Sequence, residues 1–132
     1  MQDKEITELV ELRLKLAEES LKASKILLEA ESCKSSANRS YYAVFHSMRA
    51  LLATNKIDMK HHSGIISEFR RLYIKTGIFD TRLSEIVSEQ YDLRTESDYD
   101  DFSVLTKEEA TEQLENASYF FDIIKNYLDG RV

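Results

Sequence analysis

The stretch RSYYAVFHSMRALL, residues 39–52, carries side chains that can bind an anion or move a proton. Arg39, Tyr42, His46 and Arg49 fall at i, i+3, i+7 and i+10, so on a helix they make one contiguous face whose neighbours touch. Arginine offers a planar fork that fits phosphate, and histidine titrates near neutrality, which makes this face a candidate anion site. A structural reading competes with it. Tyr42 and His46 would then be half-buried groups satisfied by hydrogen bonds, with the arginines pairing to acids of the last helix. The structural reading is the expected one, with Arg39, Tyr42 and His46 mainly holding helices together through partly buried hydrogen bonds.

Other chemistries fit less well. The acidic DYDD string, residues 98–101, lacks the glycine and the ligand spacing of a calcium loop. His61 and His62 are adjacent, so on a helix they point ~100° apart and cannot share one metal from a single face. Cys33 has no partner at zinc-site spacing. There is no glycine-rich phosphate loop and no Gly-x-Ser-x-Gly elbow. No metal and no cofactor are expected.

The elements that must position these groups are helices. Beside the polar face, Tyr41, Val44, Phe45, Met48, Leu51 and Leu52 form an apolar stripe, and the helix carrying both is expected from about Ala37 to Thr54, ended by Asn55. Before it, a long helix spans Ile6 to Leu28. Its inner stripe is Val10, Leu14, Ala17, Leu21, Ser24 and Leu28, with a second stripe of Leu9, Leu12, Leu16 and Leu27 alongside. The intervening CKSSAN reads as a break. A third helix is expected over 63–75, with Ile65, Ile66, Phe69 and Leu72 inward and Gly77 just past its end. A fourth runs from about Asp80 to Arg94 on Leu83, Ile86, Val87 and Gln90 or Tyr91, after which TESDYDDF breaks the pattern. The last helix starts most clearly. Leu105, Thr106 and Glu109 match a capping box with a hydrophobic staple, followed by a stripe of Ala110, Leu114, Ala117, Phe121, Ile124 and Leu128.

Composition agrees with an all-α chain: no proline, three glycines, 42% hydrophobic and 32% charged residues over 132 positions. Nothing resembling a linker divides it, so one domain over residues 1–132 is expected. No apolar run approaches the ~20 residues of a membrane helix. The start, MQDKEITELV, has no signal-peptide pattern and a lone cysteine cannot form an internal disulfide, so a cytoplasmic location is expected. Charge is uneven under the net −6. Residues 32–82 hold nine Lys/Arg against three acids, and residues 83–132 hold four against thirteen. That asymmetry serves either complementarity between helices of one bundle or a basic surface for an anionic partner. The wide apolar arc on the first helix predicts a homodimer.

NRSYYAVFHSMRALL, KHHSGIISEFRRLYIKTGIFD and LRTESDYDDF, followed by the capped last helix, resemble the HEPN superfamily over roughly residues 6–128. The likeness is to its small stand-alone, mostly prokaryotic proteins that are often encoded beside a minimal nucleotidyltransferase. The resemblance implies an up-and-down antiparallel bundle of four main helices plus a short extra one, commonly homodimeric. It also implies either a metal-independent endoribonuclease or toxin, or a non-catalytic partner that binds RNA or nucleotide.

The family's active motif is an Arg, four to six residues, then a His, between the penultimate and last helices. Arg94 matches the arginine, and after Thr95, Glu96, Ser97 and Asp98 the histidine's place is held by Tyr99. Arg39 and His46 meet the spacing formally, but on the second helix. A phenol with an ordinary pKa of ~10 donates a hydrogen bond but is a poor base at neutral pH, and Asp98, Asp100 and Asp101 favour its neutral form. Arg94 would otherwise anchor a helix end on Asp98 or Asp100. The resemblance therefore implies a partner module that binds RNA or nucleotide and is weakly or not catalytic. The alternatives are an active ribonuclease toxin using Arg94 and also His46, or a scaffolding bundle. It further implies that Tyr99 is a candidate for adenylylation by a nucleotidyltransferase partner, a bulky anion that would act as a switch beside Arg94.

Overall fold

The computed structural model describes residues 2–99 and 104–130, the side chains of 96–99 excepted. Helix α1 is Asp3–Glu29, α2 Cys33–Ala53, α3 His62–Phe69, α4 Thr81–Tyr99 and α5 Lys107–Asp129; α3 runs directly into a π-helical turn, Arg70–Ile74. No strand occurs among the described residues, and the architecture is the expected all-α antiparallel bundle.

Helix α2 is the hub, packed against α1, α3, α4 and α5. Its whole predicted stripe, Tyr41, Val44, Phe45, Met48, Leu51 and Leu52, is buried, together with Ile65, Phe69, Leu83, Ile86, Val87 and Ile124 from its neighbours. The α5 start is as expected. Thr106 Oγ1 accepts from the Glu109 amide at 3.1 Å, and the Glu109 carboxylate accepts from the Thr106 amide at 3.2 Å. Leu105 packs into a small second cluster with Ala110, Leu28 and Ala37.

Three boundaries differ from expectation, each for a physical reason. CKSSAN is helical: the turn is confined to the residues between α1 and α2, where Glu31 takes a positive φ of 63°. Of the two serines that looked like a break, Ser35 is exposed and Ser36 belongs to the contact surface between α1 and α2, where Ser24 is hydrogen bonded to both Ser36 and Ser40 out of water. The third helix widens into the π turn, which closes on Gly77 at φ 78°, the left-handed position expected of that glycine. Helix α4 continues past Arg94 to Tyr99, since no glycine or proline in TESDY interrupts it. The remaining residues of the acidic string, 100–103, lie outside the described ones.

Candidate functional site

Tyr41 and Tyr42 are consecutive on α2, so their rings stand nearly perpendicular, centroids 5.4 Å apart at 74°. Arg94 of α4 sits in that corner. Its Cζ is 5.5 Å from each ring centroid, and Nη2 donates to the Tyr42 hydroxyl at 3.3 Å. Two aromatic faces under one guanidinium hold it by cation–π attraction, worth ~0.5–2 kcal/mol per contact, and orient its plane. One turn earlier Tyr91 packs on Tyr41 at 5.9 Å.

His62 enters the same corner from α3. The imidazole stacks on Phe45 with centroids 4.2 Å apart and 19° between planes, and its Nδ1 lies 2.5 Å from the Tyr41 hydroxyl. Tyr41 is fully buried, which pushes its phenol well above the ordinary value despite the Arg94 cation, so it stays protonated. A protonated phenol donates to Nδ1, and the neutral imidazole then carries its own proton on Nε2. Burial first, and then the Arg94 cation, pull the His62 pKa below the usual 6.5. At neutral pH the site holds an arginine cation beside a neutral imidazole of fixed orientation.

The polar face continues along α2 into a second cluster. Arg13 of α1, buried, donates to Asp58 Oδ1 at 2.7 Å and to the Arg49 carbonyl at 3.1 Å, and Arg49 donates to the same Asp58 oxygen at 3.1 Å. Two cations thus face one carboxylate. The Arg13 hydrogen bond is the main cause of a lowered Asp58 pKa. His46 lies between the two clusters, with its ring centroid 6.0 Å from that of Tyr42. Its Nδ1 is buried without a hydrogen-bond partner among the described residues. Burial, then Arg49 and Arg13, lower its pKa.

Of the predicted face, the structure assembles Tyr42, His46 and Arg49 and leaves Arg39 exposed. The expected pairing of Arg49 with acids of the last helix is corrected: its partner is Asp58, in the connection that follows α2, which the bundle brings back onto α1 and α2. Arg94 joins this face. The side chain of Tyr99, with those of Asp98, Asp100 and Asp101, lies outside what is described. Among the described residues no three His, Cys, Asp or Glu side chains cluster as a metal site.

Sequence reasoning missed His62, Tyr41 as a polar participant, and Arg13. Arg13 left a signal: it stands three after Val10 and four before Ala17, on the inner stripe. His62 left none, because its meeting with Arg94 depends on the topology.

Both histidines have depressed folded-state values, so the unfolded chain binds more protons below about pH 6.5. Their contribution to stability is fully present above that value and lost as pH falls through it toward the folded-state values. The melting temperature should therefore drop between about pH 7 and about pH 5, and His46→Gln should flatten that drop when thermal scans across the window are compared. Equal slopes for wild type and variant would remove His46 as a cause.

An all-α bundle with an arginine on the last turns of its penultimate long helix, seated on tyrosines of the second, defines a class of small helical bundle proteins. The chain belongs to the HEPN domain family, whose model matches residues 10–127. It is 36% identical over 126 residues to "Putative toxin MJ0605" of Methanocaldococcus jannaschii, covering 96% of this chain and 93% of that protein. It is also 37% identical over 119 residues to "Putative toxin MJ0142" of the same organism, covering 90% and 81%. A UPF0332 protein of Thermotoga maritima is 30% identical over 129 residues, covering 98% of this chain and 96% of that one. Among the described residues no helix is long and apolar enough to cross a membrane.

Proposed function

We propose that this chain is the HEPN member of a toxin–antitoxin-like pair with a minimal nucleotidyltransferase, acting in the cytoplasm as a homodimer and binding single-stranded RNA across the Arg94 corner. The observation that carries the reading is Arg94 held between the faces of Tyr41 and Tyr42 beside His62. A cation presented beside the half-buried Tyr42 ring suits unpaired nucleotides, whose bases stack on such a ring and whose phosphates accept from arginine. Names of relatives as toxins support the toxin side of it. For the dimer, Leu12 and Ile26 on the outer face of α1 are 53% and 65% exposed, with Leu9, Leu16 and Leu27 half-buried beside them. Light scattering is expected to return twice the 15.4 kDa chain mass, and a monomer at micromolar concentration would remove that part. Fluorescence anisotropy with a short labelled single-stranded RNA at low salt tests the rest: saturable binding that weakens with salt supports it.

A second reading, metal-independent RNA cleavage, is favoured by His62. The motif position is Tyr99, yet the bundle brings an imidazole to the same two tyrosines that hold Arg94. The Nδ1 of His46 is buried, which makes His62 the better candidate for proton transfer to or from a ribose hydroxyl. Cleavage of the labelled RNA in the presence of EDTA, lost in His62→Gln, would establish this reading; intact RNA over the same time would leave binding alone.

A further inference from the structure

A groove of about 430 Å3 separates α3 and its π turn from α4, lined by Ser63, Ser67, Arg70, Lys75, Ser88 and Tyr91. Ser63, Ser67 and Arg70 recur at i, i+4 and i+7, one face of α3, and Ser84, Ser88 and Tyr91 do the same on α4. Arg70 spans the two walls. Its Nε donates to Ser84 Oγ at 2.8 Å, and its Nη2 to Ser88 Oγ at 2.5 Å and to the Ser84 carbonyl at 3.3 Å. All three acceptors are neutral.

That sets Arg70 apart from Arg13 and Arg49, which bond Asp58, Arg71, which bonds Glu68, and Arg82, which pairs with Glu85 and Glu89. No ion pair among the described residues involves Arg70. A half-buried guanidinium oriented by hydroxyls, with its charge uncompensated by a carboxylate, is the arrangement that receives phosphate.

The π turn adds to this. Positions five apart on a regular α-helix point ~140° from each other. Here the Lys75 amide donates to the Arg70 carbonyl at 2.9 Å, closing a wider turn that brings Lys75 round to the same groove. π turns often accompany functional sites. The hydroxyls of Ser63 and Ser67 are exposed and make no side-chain hydrogen bond among the described residues. Asp92 is the one acid lining the groove, one position beyond Tyr91, so an anion belongs at the Arg70–Lys75 end.

At its other end the groove meets the Arg94 corner: Tyr91 lines it and packs on Tyr41, and Ser63 follows His62. From Ser88 to Arg94 is six helical positions, about 9 Å along α4. We propose that this groove is a phosphate subsite for an RNA strand, where Arg70 and Lys75 hold a backbone phosphate a nucleotide or so away from the one at Arg94. The proposal rests on the RNA-binding reading above.

The test measures RNA affinity and its salt dependence by anisotropy for wild type, Arg70→Gln, Lys75→Ala, Ser67→Asp and Arg94→Ala, with melting temperatures for each. Arg70→Gln should weaken binding ~10- to 100-fold, the range for a charged hydrogen bond. It also cuts the tie between the walls, so the surface changes carry the argument if it melts early. Lys75→Ala should weaken binding and flatten the slope of log affinity against log salt by ~0.7, one phosphate contact. Ser67→Asp, placing a carboxylate in the groove, should weaken it at unchanged melting temperature. Lys75→Ala and Ser67→Asp binding like wild type, with Arg94→Ala impaired, would overturn the groove and keep the Arg94 reading. No RNA binding by wild type would overturn both. If the groove variants lose ATP binding but keep RNA binding, the subsite is for free nucleotide and the proposal fails.

Discussion

Arg94→Ala will weaken binding of single-stranded RNA by ~10- to 100-fold, the loss of one charge-assisted contact at ~1.5–3 kcal/mol. The guanidinium is pinned at 5.5 Å over both Tyr41 and Tyr42, so its donors are set before RNA arrives and little entropy opposes the contact. Arg94→Lys keeps the charge but neither the planar stack nor the fork, and should recover only part of the affinity. Because Arg94 helps depress the His62 pKa, its removal should also raise the pH at which His62 titrates, readable by NMR of the imidazole protons. If Arg94→Ala bound RNA as wild type does while the His62 titration moved as expected, Arg94 would be a structural cation and the RNA surface would lie elsewhere. Should the chain cleave RNA, Arg94→Ala and His62→Gln are each expected to slow cleavage ~10²- to 10⁴-fold.

What the sequence made legible was whatever is local to one helix. The stripe of α2, the Thr106–Glu109 box and the adjacency of Tyr42, His46 and Arg49 follow from spacings of three and four, and the bundle keeps all of them. Partners were not legible, because a helix face does not announce what is packed on it. Arg49 could have met any acid; the connection after α2 happens to fold Asp58 back onto it. Residues 41, 62 and 94 come from three helices, so their corner exists only once α3 and α4 have docked on α2. CKSSAN misled for a further reason. Serine is a cap or turn former when its hydroxyl competes for its own backbone, yet here the hydroxyls of Ser36 and Ser40 bond across to Ser24 and let two helices approach closely.

That seam predicts the largest stability effect. Ser24 Oγ donates to the Ser36 carbonyl at 2.9 Å and lies 3.0 Å from Ser36 Oγ and 2.8 Å from Ser40 Oγ, while Ser36 Oγ donates back to the Ser24 carbonyl at 2.9 Å. All three serines are wholly buried, and Ala17, Ala43 and Ser47 extend the small-residue surface on both helices. Ser24→Leu inserts branched carbon where no space exists, costing ~1–3 kcal/mol of strain, and orphans the Ser40 hydroxyl, whose partner is Ser24 Oγ, at ~1–3 kcal/mol more, while Ser36 Oγ keeps its bond to the Ser24 carbonyl. Against a total stability of ~5–15 kcal/mol, that should lower the melting temperature by ~10–20 °C. Ser24→Ala removes the hydroxyl without the bulk and should cost only the second part. The two variants separate the contributions. If thermal scans show Ser24→Leu melting no earlier than Ser24→Ala, then α1 and α2 have room to move apart at this point, and the seam is held by hydrogen bonds rather than by close approach.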